Sequence, residues 1–198
     1  MNRFSKMGVR DEQRERTRAA LLDAARRRFE VDGFEATHLR DVAGDVGLSV
    51  GAVFVHFADK RDLLHTALFE DLERALDEAL ASGPEALEPF LDHVAAAILG
   101  YYERRPALSS VLLRESLLAE GVWGERFAAQ HARVHAAVVA RFEAARARGE
   151  VGGDAGLFAL SFVSFHTFAL LGWVRGALPD PRGTVGRLVR QQLAGARP

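Results

Sequence analysis

Apolar residues in this chain recur at spacings of three and four almost throughout, and strict alternation is nearly absent. Leu22, Ala25 and Phe29 form one helical stripe, with Arg26, Arg27 and Arg28 outside it, and Gly33 suits the left-handed residue that follows a helix. The stretch FEATHLRDVAGDVGLSVGAVFVHFADK reads as short helical pieces, with Thr37, Ser49 and Asp59 as candidate caps and Asp62 completing a capping box with Asp59. A long stripe follows through Leu64, Ala67, Leu68, Leu72, Ala75, Leu76 and Leu80. Pro84 suits the first turn of a further helix, which carries Leu91, Val94, Ala95, Ile98 and Leu99 and stops near Pro106. Leu108, Val111, Leu112 and Leu118 predict a shorter helix up to Gly121, and Phe127, His131, Val134, Val138 and Phe142 predict a long one. Two C-terminal helices complete an all-α chain of about nine helices, the last marked by Val185, Leu188, Val189 and Gln192. The pattern divides into a small unit over residues 1–60, led by a basic arm over about 1–12, and a larger helical unit over 61–198.

The penultimate helix changes the picture. Residues 156–174 run 19 positions without an Asp, Glu, Lys or Arg, long enough to be tested as a membrane span. Ser161, Ser164, His166 and Thr167 lie near the middle, and no second run resembles it. The run is read as a buried helix, covered in part by a partner subunit, and no membrane association is expected.

A formal net charge of −1 over 198 residues names no partner, but residues 1–30 hold nine Lys and Arg against five Asp and Glu. That local excess of base suits either a phosphate backbone or the solvated face of a helix. Absence of cysteine removes disulfides and thiolate metal sites. The N-terminal residues lack an apolar stretch of the signal-peptide kind, so the expected location is the cytoplasm.

Residues 47–51, GLSVG, fit the G-x-S-x-G of a hydrolase's nucleophile elbow. An elbow needs a strand running into the serine, and the residues ahead of Ser49 read as a helix. A helix-turn-helix accounts for the same string better. Val42, Val46, Leu48 and Val53 are apolar where two short helices pack, and Ala43 is small where they cross. Gly47 falls in the turn, where φ must be positive, and Ser49 caps the second helix. In such a unit the second helix lies in the major groove. No enzymatic activity is expected on this reading.

A helix ending in Phe29, then Gly33–Phe34, Thr37, Asp41–Ala43, Gly47, Ser49, Gly51, His56–Phe57, Lys60 and Leu63 stand at independent but matching spacings. On these residues the segment 14–64 resembles the N-terminal domain of the tetracycline-repressor (TetR) family of bacterial transcription regulators. The resemblance implies a DNA-facing set: Thr37, His38, Arg40, Ser49, Val50, Gly51, Ala52, Phe54, Val55, His56 and Lys60. The second helix departs from the family pattern. Val50 and Ala52 stand where a polar residue and a Thr are common, and Phe54 and Val55 where Tyr, or Tyr and His, are frequent. Such a surface meets thymine methyls and makes few base hydrogen bonds. Phosphate contacts then fall to His38, Arg40, Lys60, Ser49 and the arm with Arg10, Arg14 and Arg18.

The resemblance further implies that the larger unit binds a small effector and forms a homodimer through its last two helices. Candidate effector contacts are the aromatics Tyr101, Trp123, Phe127 and Phe165 and the polar residues His93, Arg114, His131, His135 and His166. His131 and His135 share a helix face at the spacing metal sites use, but no third ligand stands at a fixed spacing, so neither metal nor cofactor is expected. Candidate dimer contacts are Phe158, Phe162, Trp173, Val185, Leu188, Val189 and Gln192. The expected function is a ligand-responsive regulator, a repressor that binds a palindromic duplex operator as a dimer and is released by a small apolar or amphipathic ligand. The competing reading is a small-molecule binding or enzymatic protein that keeps a helix-turn-helix shape.

Overall fold

The computed structural model describes residues 8–196, and every regular element among them is a helix. The arm's residues 1–7 lie outside that range, so the expectations placed on them stay with the sequence. The chain divides into two compact units between Glu70 and Asp71. That division lies further along than residue 60.

The first unit holds α1 (Val9–Val31), α2 (Leu39–Asp45), α3 (Val50–Phe54) and the first turns of α4 (Lys60–Ser82). Residues 61–70 belong here for a physical reason. Leu63, Leu64, Ala67 and Leu68 are buried, Arg26 Nε donates to the Ala67 carbonyl at 2.9 Å, and Arg18 pairs with Glu70. Only the second half of α1 enters this core, through Leu21, Leu22, Ala24, Ala25 and Phe29.

Gly47 takes φ 70°, as the turn demands. The Leu48 N–H reaches the Ala43 carbonyl at 2.9 Å and the Gly47 N–H the Gly44 carbonyl at 3.1 Å. Together these bonds close α2 as a Schellman motif and turn the chain into α3. Val42, Ala43 and Val53 are fully buried between the two helices.

Two expected caps are corrected. Thr37 is buried and donates its hydroxyl back to the Gly33 carbonyl at 2.7 Å; His38 holds the N-cap position of α2 instead. Ser49 occupies the N-cap position of α3, but its side chain makes no capping bond. Asp59 does cap α4, accepting from the Asp62 N–H at 2.8 Å, while Asp62 accepts from the Ala58 N–H at 2.8 Å.

The second unit continues α4 and adds α5 (Leu87–Glu103), α6 (Pro106–Ser116), α7 (Gly121–Ala147), α8 (Ala155–Val174) and α9 (Pro181–Gly195). Pro84 lies in the turn ahead of α5, whereas Pro106 and Pro181 open their helices. Asp154 and Asp180 cap α8 and α9 by accepting from Leu157 and Gly183 N–H groups at 2.9 and 2.8 Å. Helix α8 packs against α5, α6, α7 and α9. By length and composition it could cross a membrane, and 33% of its most apolar window is buried inside the protomer.

The inward side of α8 corrects part of the expected dimer surface. Phe158 and Phe162 are core residues, with the Phe158 ring 4.7 Å from that of Phe142, and Val185 and Val189 of α9 are buried as well. A side chain covered by its own protomer cannot cover a partner. Leu188, Trp173 and Gln192 are half-exposed. The large apolar side chains that α8 leaves outside are Leu157, Leu160 and Phe168, the last 77% exposed. Each follows the other at helical spacing, with Ser161, Ser164 and Phe165 completing the stripe.

Candidate functional site

Helix α3 stands out from its unit with an apolar exterior. Val53 points inward and is fully buried, while Val50, Phe54 and Val55 are 40%, 55% and 65% exposed. Apolar side chains of this size outside a core are informative, because solvent gains nothing from them. Gly51 is exposed and Ala52 half-exposed beside them, and neither has a polar side chain to offer. Ser49 is exposed at the start of the same helix, with its hydroxyl not used as a cap.

Around α3 the charged groups divide into spent and available. Arg28 forks Asp45 through two bonds of 2.7 Å, which fastens α1 to α2 and holds the Asp45 carboxyl below the usual carboxylate range. Arg18, expected in the phosphate grip, is engaged by Glu70 within the same unit. Arg10 and Arg14 are exposed, and Arg40 projects into solvent with Asp41 at 3.7 Å. His38 is exposed at the start of α2. Burial first, then the charges of Arg14 and Arg18, press the His56 imidazole below its ordinary pKa. His56 is therefore neutral near pH 7 and can offer a phosphate an N–H but no charge.

Lys60, expected at a phosphate, is engaged within its own unit. Its ammonium donates to the carbonyls of Phe34, Glu35 and Thr37 at 2.8, 3.1 and 3.1 Å, and lies 4.5 Å from the Phe34 ring centre. An ammonium has three N–H donors, and all three are used to hold the 34–37 loop ahead of α2. Thr37 in that loop is buried, its hydroxyl bonded to the Gly33 carbonyl. Lys60→Met keeps the stem and removes the donors. It is expected to lower stability by about 2 kcal/mol, since bonds from a charged group carry about 1.5–3 kcal/mol each and water replaces part of the loss. The salt dependence of DNA binding is expected to stay as in the wild type, whereas a lost phosphate contact would shallow the slope by about 0.9. Denaturant unfolding and a salt titration check the two halves.

The second unit contains a partly open cavity between α4, α5, α6, α7 and α8. About 50 Å³ is open to the centres of water-sized molecules, so a larger guest must spread the walls. Three of the expected contacts line it: Phe127, His131 and His166. The other six do not. Tyr101 turns aside, edge-on to Tyr102 with ring centres 5.5 Å apart, and Arg104 stands over it. Trp123 lies under the Arg126 guanidinium, Arg114 is exposed beside Glu115, and His93 is half-buried away from the cavity. Phe165 faces outward with Phe168 and Leu188. His135 donates from Nε2 to the Gly156 carbonyl at 3.2 Å, joining α7 to α8, while His131 donates from Nδ1 to the Phe127 carbonyl at 2.8 Å. The pair is thus used in separate bonds rather than directed at one ion.

Gln130 and Thr167 on the cavity wall are not among the expected contacts, and Tyr102 stands there in place of its neighbour Tyr101. The signal for Tyr102 was its spacing of four from Ile98, another wall residue, which places it rather than Tyr101 on the inner face of α5. Tyr102 and His166 are both deeply buried. Burial drives the Tyr102 phenol well above its ordinary pKa and the His166 imidazole down to about 4.

This arrangement can be set beside known proteins. Residues 21–67 match the family model described as bacterial regulatory proteins, tetR family. The chain is 30% identical over 138 residues to the HTH-type transcriptional repressor Rv1474c of Mycobacterium tuberculosis, covering 69% of this chain and 72% of that protein. It is 28% identical over 144 residues to the HTH-type transcriptional regulator UidR of Escherichia coli, covering 70% of each. A TetR transcription regulator from Haloarcula marismortui has the same fold, with a TM-score of 0.77 at 18% identity over 92% of this chain and 98% of that one. Helix-turn-helix geometry, the family match in the same residues and these relatives converge: the chain belongs to the tetR family of bacterial regulatory proteins and is a DNA-binding transcriptional regulator.

Proposed function

We propose that the protein is a cytoplasmic repressor that binds a palindromic operator as a homodimer and lets go when a small, mostly apolar effector occupies its cavity. The observation that carries the DNA half is the exposed apolar α3, opened by the exposed Ser49, in a helix-turn-helix whose first helix leaves His38 and Arg40 exposed. Val50, Phe54 and Val55 meet base edges in the major groove, where the thymine C5 methyl is the apolar feature available to them. Arg10, Arg14, Arg40, His38, His56 and Ser49 bear on phosphates and fix register. Lys60 and Thr37 support this surface from behind and touch no DNA.

The homodimer reading rests on the outer stripe of α8. Leu157, Leu160 and Phe168, with Leu188 of α9, form an apolar face that a second copy of the chain covers across a two-fold axis. Two recognition helices then fall one helical turn apart, about 34 Å. An effector weakens operator binding only through a higher affinity for the DNA-free form.

Selection of duplexes from a random pool by the purified protein, at about 150 mM salt because affinity without stated salt is uninterpretable, tests this reading. Enrichment of a palindrome with half-sites one turn apart is the expected result. A pool that leaves the protein unenriched, or that yields only single half-sites, contradicts it.

A further inference from the structure

Helices α7 and α8 carry the same device. Each has a Phe four residues ahead of a His, Phe127–His131 and Phe162–His166, with ring centres 4.2 and 4.3 Å apart. In each, the imidazole Nδ1 lies within 2.8 Å of the Phe carbonyl oxygen, at 2.8 Å for His131 and 2.7 Å for His166. A carbonyl oxygen only accepts, so Nδ1 carries the hydrogen in both rings and Nε2 of the neutral ring keeps its lone pair. Both rings line the cavity. His166 Nε2 is buried with no hydrogen-bond partner among the described residues. The Gln130 side chain lines the same cavity, is 5% exposed, and holds an amide nitrogen that is equally unpartnered.

These two groups ask for complementary things. His166 presents an acceptor and lacks a donor; Gln130 presents a donor and lacks an acceptor. The rest of the wall is mostly aliphatic, and no Lys or Arg is among the described residues that line it. We infer that the cavity selects a neutral, largely apolar molecule bearing a hydroxyl, whose hydrogen goes to His166 Nε2 and whose oxygen accepts from Gln130. A carboxylate of the same shape would turn lone pairs toward a lone pair and would lose its hydration with no cation in compensation. A hydrocarbon of the same shape would leave both polar groups unpaired, which is the costlier way to fill a polar site.

This inference rests on the proposal that the cavity is the effector site, and the experiment separates the two. Three probes of one shape are titrated into the full-length protein at pH 7.5: 2-naphthol, 2-methylnaphthalene and 2-naphthoate. Calorimetry or the shift in melting temperature reads binding. 2-Naphthol is expected to bind at least 10-fold more tightly than either of the others. His166→Phe is expected to remove that advantage while 2-methylnaphthalene still binds. Gln130→Leu, which leaves the His166 ring in place, is expected to reduce it several-fold and guards against a His166 variant that fails to fold. Tighter binding of the carboxylate, equal binding of 2-naphthol and 2-methylnaphthalene, or binding of none of the three overturns the inference. A clear preference for 2-naphthol with no change in affinity for the selected operator leaves the inference standing and overturns the effector role.

Discussion

Phe168→Glu is expected to yield a well-folded monomer with operator affinity reduced by a factor of about 100 or more. Phe168 is the most exposed residue of the α8 stripe, so replacing it takes nothing from the protomer's core. In an isologous interface the change is made twice. Covering a Phe side chain is worth about 1.5–3 kcal/mol, so two lost side chains weaken the dimer by about 3–6 kcal/mol before the charges are counted. The two carboxylates also add like-charge repulsion across the axis. A monomer engages a single half-site and loses the gain from holding two together. Sedimentation and operator titration at fixed salt check both effects, with Phe168→Leu as a milder companion. A Phe168→Glu protein that stays dimeric and binds DNA as the wild type does would place the interface elsewhere.

Acid is expected to unfold the second unit earlier than its surface charges alone require, and His166 is the reason. An imidazole in the unfolded chain takes up its proton near pH 6.5. The same ring folded in the α7–α8 wall takes it up only near pH 4, because burial penalises the cation. Between those values the unfolded chain binds more protons, so stability is whole above about pH 6.5 and falls as the pH drops toward 4. A shift of that size amounts to about 3 kcal/mol at 1.36 kcal/mol per unit. His56 in the first unit moves in the same direction from burial and from Arg14 and Arg18. Denaturant unfolding of wild type and His166→Leu at pH 7 and pH 4 measures the effect. The wild type is expected to lose about 3 kcal/mol more than the variant over that interval. Parallel losses in the two proteins would show that His166 is not held neutral.

Much of this was legible in the chain because short-range chemistry decides it. The positive φ at Gly47, the Asp59 cap of α4 and the burial of Val42, Ala43 and Val53 follow from spacing and residue type. Other features were hidden because they depend on partners distant in sequence. Lys60 reads as a free cation until the fold brings the carbonyls of residues 34, 35 and 37 to its ammonium. Arg18 reads the same way until Glu70 meets it. In α8, an almost wholly apolar helix gives no moment by which to tell inner from outer faces. The pattern therefore points Phe158 and Phe162 at a partner that they cannot reach and does not single out Leu157, Leu160 and Phe168. At the cavity, residue type and the family resemblance point to Phe127, His131 and His166 but do not separate Tyr102 from Tyr101 before the phase of α5 is fixed.

The central claim is that α3 reads bases through apolar side chains. The selected operator, resynthesised with deoxyuridine in place of thymine within the half-sites, tests it most directly, since the change removes the C5 methyl and leaves pairing and phosphates intact. Each buried methyl is worth about 0.8 kcal/mol, so one methyl lost per half-site should weaken the dimer complex by roughly 15-fold at constant salt. Phe54→Ala, with its contact already lost, should show a smaller difference between the two duplexes. Equal affinity of the wild-type protein for the thymine and deoxyuridine operators would contradict the claim.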